Sequence, residues 1–100
     1  LYEDEKVLFF NDINPIAKIH ILAIPKNPVI NFRDFVSNTD SETVKYFFDK
    51  ISDIINNFGL DKTGYRLVTN DGPDANQEVP HFHIHIIGGQ NIGGFWHVPT

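Results

Sequence analysis

Three histidines alternate with apolar residues in one short run, His81-Phe82-His83-Ile84-His85, and Ile86-Ile87-Gly88-Gly89 follows. A β-strand repeats every two residues. A strand over 81–87 therefore puts His81, His83 and His85 on one face and turns Phe82, Ile84 and Ile86 into a core on the other. Neighbouring imidazoles on that face stand roughly 6.5–7 Å apart at the root. Three such groups can move protons near neutral pH, attack an electrophile or bind a metal. A buried imidazole needs a hydrogen-bond partner, so three in alternation are a poor choice for structure alone.

The rest of the chain supplies the core. Val7-Leu8-Phe9-Phe10 reads as a strand stopped by Asn11-Asp12 and Pro15, and 18–24 as a second strand ended by Pro25. The second strand sets Lys18, His20, Leu22 and Ile24 on one face and Ile19, Ile21 and Ala23 on the other; its near-continuous apolarity suits a strand covered on both sides. Residues 26–38 read as a loop with one helical turn. The spacing predicts a helix over about 40–58, with Val44, Phe47, Phe48, Ile51, Ile54, Ile55 and Phe58 as one apolar stripe. Thr39 and Glu42 have capping-box spacing, with Asp40 and Ser41 as competing caps, and Gly59 suits a left-handed C-terminal cap. Gly64–Thr69 is a third strand and 70–74 a turn-rich loop. This order favours an α+β domain with an antiparallel sheet and one long helix.

Composition narrows the function classes. One hundred residues suit one small domain. The formal charge is −5 and the eight lysines and arginines are scattered. Without a cationic stripe, a nucleic-acid polymer is not an expected partner; this charge does not exclude a single nucleotide. There is no cysteine, which removes disulfides and thiolate chemistry and fits a reducing compartment. No apolar run reaches the ~18–20 residues of a membrane span. The expected location is the cytoplasm, with the nucleus also open. The chain starts at Leu1, so a short preceding segment is expected to be missing.

Spacing alone leaves two readings of the histidines. Zinc accepts imidazoles at alternate strand positions, with Asp71, Asp74 or Glu78 as a further ligand. A neutral imidazole is also a competent nucleophile, with flanking imidazoles to contact developing charge.

The run from Gln77 to Gly89 resembles the histidine-triad (HIT) superfamily signature, in which three histidines alternate with apolar residues. The closing Gly88-Gly89 resembles the histidine-triad nucleotide-binding branch, the purine nucleoside phosphoramidases. Three further blocks are similar in the same order: Leu1–Asp4 with Phe10–Pro15, His20–Lys26, and Gly64–Gly72. The resemblance implies a single HIT domain over 1–100. Its fold would be a HIT-like antiparallel sheet of about five strands with one long helix and a short helical turn. It further implies a two-fold homodimer whose sheets join, and hydrolysis of the P–N bond of AMP or GMP phosphoramidates without cofactor or metal.

By the same resemblance His83 is the nucleophile that forms a nucleotidyl-histidine, and His85 bonds a phosphate oxygen. His81 orients its neighbours, and His20 stands in a relay behind the triad. Asp12 accepts the ribose hydroxyls, while Phe10 and Ile13 form the base slot. Asn70 lies on the sugar or phosphate side, and Asn76, Gln77 and Glu78 belong to the phosphate segment. The tail Phe95-Trp96-His97 is expected near the dimer partner's site. The chain departs from the branch at Ala75-Asn76, where two glycines are frequent, and at Glu78, where a small hydroxyl residue is frequent. A carboxylate beside phosphate favours a cationic leaving group. The alternatives are a dinucleoside polyphosphate hydrolase of another HIT branch, and a nucleotide-binding interaction protein without essential turnover.

Overall fold

The computed structural model describes residues 1–94. Five antiparallel strands form one sheet: β1 (Tyr2–Glu3), β2 (Val7–Asn11), β3 (Ile19–Pro25), β4 (Tyr65–Val68) and β5 (Ile84–Gly88), in the order β1-β2-β3-β5-β4. Between β3 and β4 run three helices, α1 (Phe32–Asn38), α2 (Ser41–Asn57) and α3 (Leu60–Thr63), and a 3₁₀ turn at Pro73–Ala75 precedes β5. The α+β architecture expected from the sequence is therefore the one observed. The tail residues Phe95, Trp96 and His97 lie outside the described residues.

One face of the sheet makes the core. Phe9, Ile21, Ala23, Ile84 and Ile86 are buried against Phe47, Ile51, Ile54 and Ile55 of α2 and Phe35 of α1. The predicted stripe of α2 is buried in its middle. Phe58, expected to belong to it, is exposed because the helix ends at Asn57 and Gly59 turns the chain at φ +71°. The helix is capped by Asp40, whose side chain accepts from the Thr43 N–H at 3.0 Å. Thr39 is engaged elsewhere, accepting from Asn27 Nδ2 at 2.9 Å.

Two expectations are corrected. Residues 32–38 form a helix of seven residues rather than one turn within a loop. Asn31 caps it by accepting from the Asp34 N–H at 2.9 Å, and the fully buried Phe35 anchors it. The histidine strand begins at Ile84, not at residue 81. Its ladder with β3 reaches Ala23↔Ile84 and stops near Pro25, which has no amide hydrogen to donate. His81, Phe82 and His83 lead into the strand and are held otherwise: the Phe82 N–H donates to the Val29 carbonyl at 2.8 Å, and the Thr69 hydroxyl donates to the His83 carbonyl at 2.8 Å.

Alternation survives this irregular start because Phe82 is driven into the core. Its ring stacks on Phe35 at 4.8 Å between centroids and meets Phe47 at 5.8 Å and Phe32 at 6.2 Å. The glycines that close β5 are sterically required. A Cβ on Gly88 would stand 2.9 Å from Leu60 Cδ2 and 3.2 Å from the Gly64 carbonyl, and Gly89 has φ +81°.

Candidate active site

The second face of the sheet carries the site. Cross-strand register sets Phe10, Leu22, His85 and Val68 abreast on it. His20 is two residues back along β3 from Leu22 and shares its face. Phe10 is half-buried there, while its neighbour Phe9 points into the core.

Four imidazoles sit in a defined hydrogen-bond pattern. The Ile16 N–H donates to His20 Nδ1 at 3.2 Å, so the ring proton of neutral His20 is on Nε2. That nitrogen is 2.9 Å from His85 Nδ1 and donates to it. His85 then carries its own proton on Nε2, pointing away from His20. His83 Nδ1–H donates to the His81 carbonyl at 2.8 Å, which leaves the lone pair on His83 Nε2. The His83 ring stands edge-on to His85, 5.0 Å between centroids. The ring of His81 is directed away from this chain, with Nε2–H donating to the Pro25 carbonyl at 2.8 Å. His81 thus reaches His83 through its backbone carbonyl, and its ring tethers the segment to the end of β3.

Burial sets the charge. It pushes the His85 pKa down from 6.5 to about 4, with the neighbouring His83 and His20 adding in the same direction. His20 is also pushed down by burial, opposed by Asp12, whose Oδ2 lies 3.5 Å from His20 Nε2. Both rings are therefore neutral near pH 7. Asp12 Oδ1 accepts from the Asn14 N–H at 2.8 Å, so the same carboxylate also builds the turn after β2.

The remaining sequence candidates are distributed as follows. Ile13 is 90% exposed. Asn70 is half-buried just beyond β4. Asn76 adopts φ +57°, and Glu78 is exposed, touching Asn76 Nδ2 at 3.5 Å. Gln77 is committed to the loop itself. Its carboxamide accepts from the Gly72 N–H at 3.0 Å and donates to the carbonyls of Ile30 at 2.7 Å and Val79 at 3.1 Å. The Asn76 and Gln77 amides are likewise bonded to the Pro73 and Gly72 carbonyls. Next to them, the Glu78 and Val79 amides make no hydrogen bond to another described residue. Asp71, weighed as a metal ligand, is instead paired with Arg33 by two bonds of 2.9 and 3.1 Å, which tie the loop to α1.

Sequence reasoning did not find the Pro25 carbonyl, the Ile16 amide or the Thr69 hydroxyl. The first two are backbone groups with no residue-type signature. Thr69 lies within a recognised block, but nothing in its identity points to the His83 carbonyl.

Among the described residues one cluster could be considered for a metal: Asp12, His20 and His85 offer ligand atoms within 4.8 Å of one another. The donor set does not fit. His20 Nε2 holds a proton because Nδ1 accepts from Ile16, and a metal there would displace that proton and break the bond to His85. The triad histidines do not converge on one point either, since His81 and His83 are bonded to different carbonyls.

Known proteins resemble this chain along most of its length. The HIT domain family model matches residues 1–92. An uncharacterized HIT-like protein of Rickettsia prowazekii (strain Madrid E) is 52% identical over 94 residues, 94% of this chain and 78% of that protein. A HIT family hydrolase from Legionella pneumophila Philadelphia 1 superposes with a TM-score of 0.85 at 36% identity, covering 93% of this chain and 82% of that one. A hypothetical histidine triad nucleotide-binding protein from Sulfolobus tokodaii strain 7 gives a TM-score of 0.69 at 34% identity, over 86% of this chain and 56% of that one.

The depressed His85 pKa has a measurable consequence. Between about pH 6.5 and about 4 the unfolded chain protonates this ring and the folded chain does not, so stability falls as pH drops through that window. An NMR titration is expected to show the His85 ring still neutral at pH 5, and a ring that titrates at its ordinary value contradicts the assignment.

Proposed function

This chain belongs to the HIT family, and from that membership we propose that it hydrolyses the P–N bond of purine nucleoside phosphoramidates, with AMP or GMP as the released nucleotide. The observation that carries the proposal is the His83 tautomer. Its Nδ1–H is held by the His81 carbonyl at 2.8 Å, so Nε2 presents its lone pair on the side of the imidazole face.

In the proposed reaction His83 Nε2 attacks the α-phosphorus. The P–N bond breaks as the nitrogen takes up a proton from solvent, and the amine leaves; the attack of water in the second step returns that proton. Attachment of phosphorus makes the His83 ring cationic, and the His81 carbonyl accepting from Nδ1–H stabilises that charge. Water then cleaves the new bond between phosphorus and His83, releasing the nucleotide and restoring the neutral ring. His85 donates its Nε2–H to a phosphate oxygen. Because the ring is neutral and its Nδ1 is occupied by His20, this donor is oriented before substrate arrives. The Glu78 and Val79 amides add donors for phosphate. Asp12 serves the ribose hydroxyls, with Phe10 and the exposed Ile13 against the base and Asn70 beside the sugar. Each step is chemistry of this chain's own side chains and water, and we assign it no metal or cofactor.

A homodimer is part of the proposal. β4 is an edge strand, and it leaves Tyr65 and Leu67 46% and 41% exposed beside the core. An uncovered edge with apolar side chains suits pairing with a second copy across a two-fold axis. No helix among the described residues is long and apolar enough to cross a membrane.

The test is hydrolysis of adenosine 5′-phosphoramidate in EDTA. The wild-type protein is expected to release AMP, and His83→Ala to lose at least on the order of 10³-fold in kcat, as when a covalent nucleophile is removed. AMP binding without release supports a nucleotide-binding protein without turnover, and preferential cleavage of dinucleoside polyphosphates supports the other HIT branch. Sedimentation equilibrium is expected to give a dimer that Leu67→Asp converts to monomer; a monomeric wild type removes the dimer from the proposal.

A further inference from the structure

We propose that Asp12 couples recognition of the ribose to the protonation of the His20–His85 pair, which makes it a positioning residue for the phosphate donor as well as a sugar ligand. The inference rests on the nucleotide reading above and adds to it an energetic link between the two ends of the substrate.

The geometry is local and specific. The Asp12 N–H donates to the His20 carbonyl at 2.9 Å, so the backbone holds the two residues side by side. Asp12 Oδ1 is committed to the Asn14 N–H, while Oδ2 lies 3.5 Å from His20 Nε2. That nitrogen is already 2.9 Å from His85 Nδ1. The His20 Nε2–H therefore faces two acceptors, a near neutral imidazole and a more distant carboxylate. His20 is the one buried polar or charged side chain among the described residues, so little solvent screens this choice. The ionisable groups that face it are Asp12 and His85, with His83 behind His85.

Two states follow. A protonated His20 takes its second proton on Nδ1, loses the bond from the Ile16 N–H, and is stabilised by the Asp12 carboxylate facing Nε2–H. A neutral His20 gives its only ring proton to His85, which keeps the His85 Nε2–H aimed outward at phosphate. A ribose hydroxyl donating to Asp12 Oδ2 satisfies part of the carboxylate's charge and weakens its hold on a cationic His20. Ribose and proton thus compete for Asp12, and a bound ribose favours the neutral pair that phosphate recognition uses. Linkage makes the effect reciprocal: the factor by which ribose weakens proton binding at His20 is the factor by which protonation weakens ribose binding.

The experiment uses adenosine and 2′,3′-dideoxyadenosine, which lack phosphate and differ only in the diol. NMR titration of the His20 ring is followed in the wild type and in Asp12→Asn, which keeps an acceptor for the Asn14 N–H but carries no charge. Adenosine is expected to weaken proton binding at His20 by about fivefold more than the dideoxy analogue does, the low end for coupled sites. In Asp12→Asn the two nucleosides are expected to act alike, and the ligand-free ring to hold its proton less tightly than in the wild type. Calorimetry is expected to show that, as pH rises through the His20 titration, adenosine binding to the wild type tightens about fivefold more than dideoxyadenosine binding does. If both nucleosides bind and shift His20 equally, or His20 stays neutral wherever the protein is folded, the coupling is overturned and the nucleotide reading stands. If neither nucleoside binds, both are overturned.

Discussion

Phe82 sits among Phe32, Phe35 and Phe47, and its burial dictates the direction in which both of its neighbours point. His81 and His83 precede β5 and have no regular ladder to orient them. The aromatic cluster does that work from the opposite side of the chain, aided by the Phe82 N–H to Val29 bond. A large-to-small change at such a position costs about 3–5 kcal/mol. Here it would also release the two histidines. The site is therefore an outcome of core packing: the helices that bury one face of the sheet hold the imidazoles on the other.

Once oriented, the four rings are differentiated by what each nitrogen meets. The rings are chemically identical, yet His83 ends with a free lone pair and His85 with a free N–H. The difference comes from a carbonyl at His81 and a chain of donors from Ile16 through His20. Burial then keeps the inner pair neutral, with Asp12 as the nearby charge that opposes it at His20. An acceptor and a donor at adjacent points of one surface are what the proposed attack at phosphorus requires.

Much of this was legible in the sequence because it rests on periodicity. The stripe from Val44 to Ile55, the two-residue repeat of 81–87 and the glycine after the long helix each encode a structural element in residue types. The parts that were not legible have a common physical reason. α1 is too short for periodicity to separate it from a loop; its decisive features are one cap, Asn31, and one anchor, Phe35. Thr39, Asp40 and Ser41 are all good caps, and only the tertiary bond from Asn27 to Thr39 leaves Asp40 to do it. The late start of β5 follows from Pro25 on a neighbouring strand. Gln77 stands in the expected segment, but its three bonds to backbone make it a brace for the loop. Backbone partners leave no mark on sequence, and here they set the tautomers.

The tautomers are thus the centre of the account, and they can be read directly from long-range ¹H–¹⁵N correlations of the histidine rings at neutral pH. The structure predicts His83 protonated on Nδ1 with Nε2 bare, and His20 and His85 both protonated on Nε2. A His83 ring that carries its proton on Nε2 has its lone pair on Nδ1, against the His81 carbonyl, and none on the nitrogen proposed to attack; that result would contradict the account.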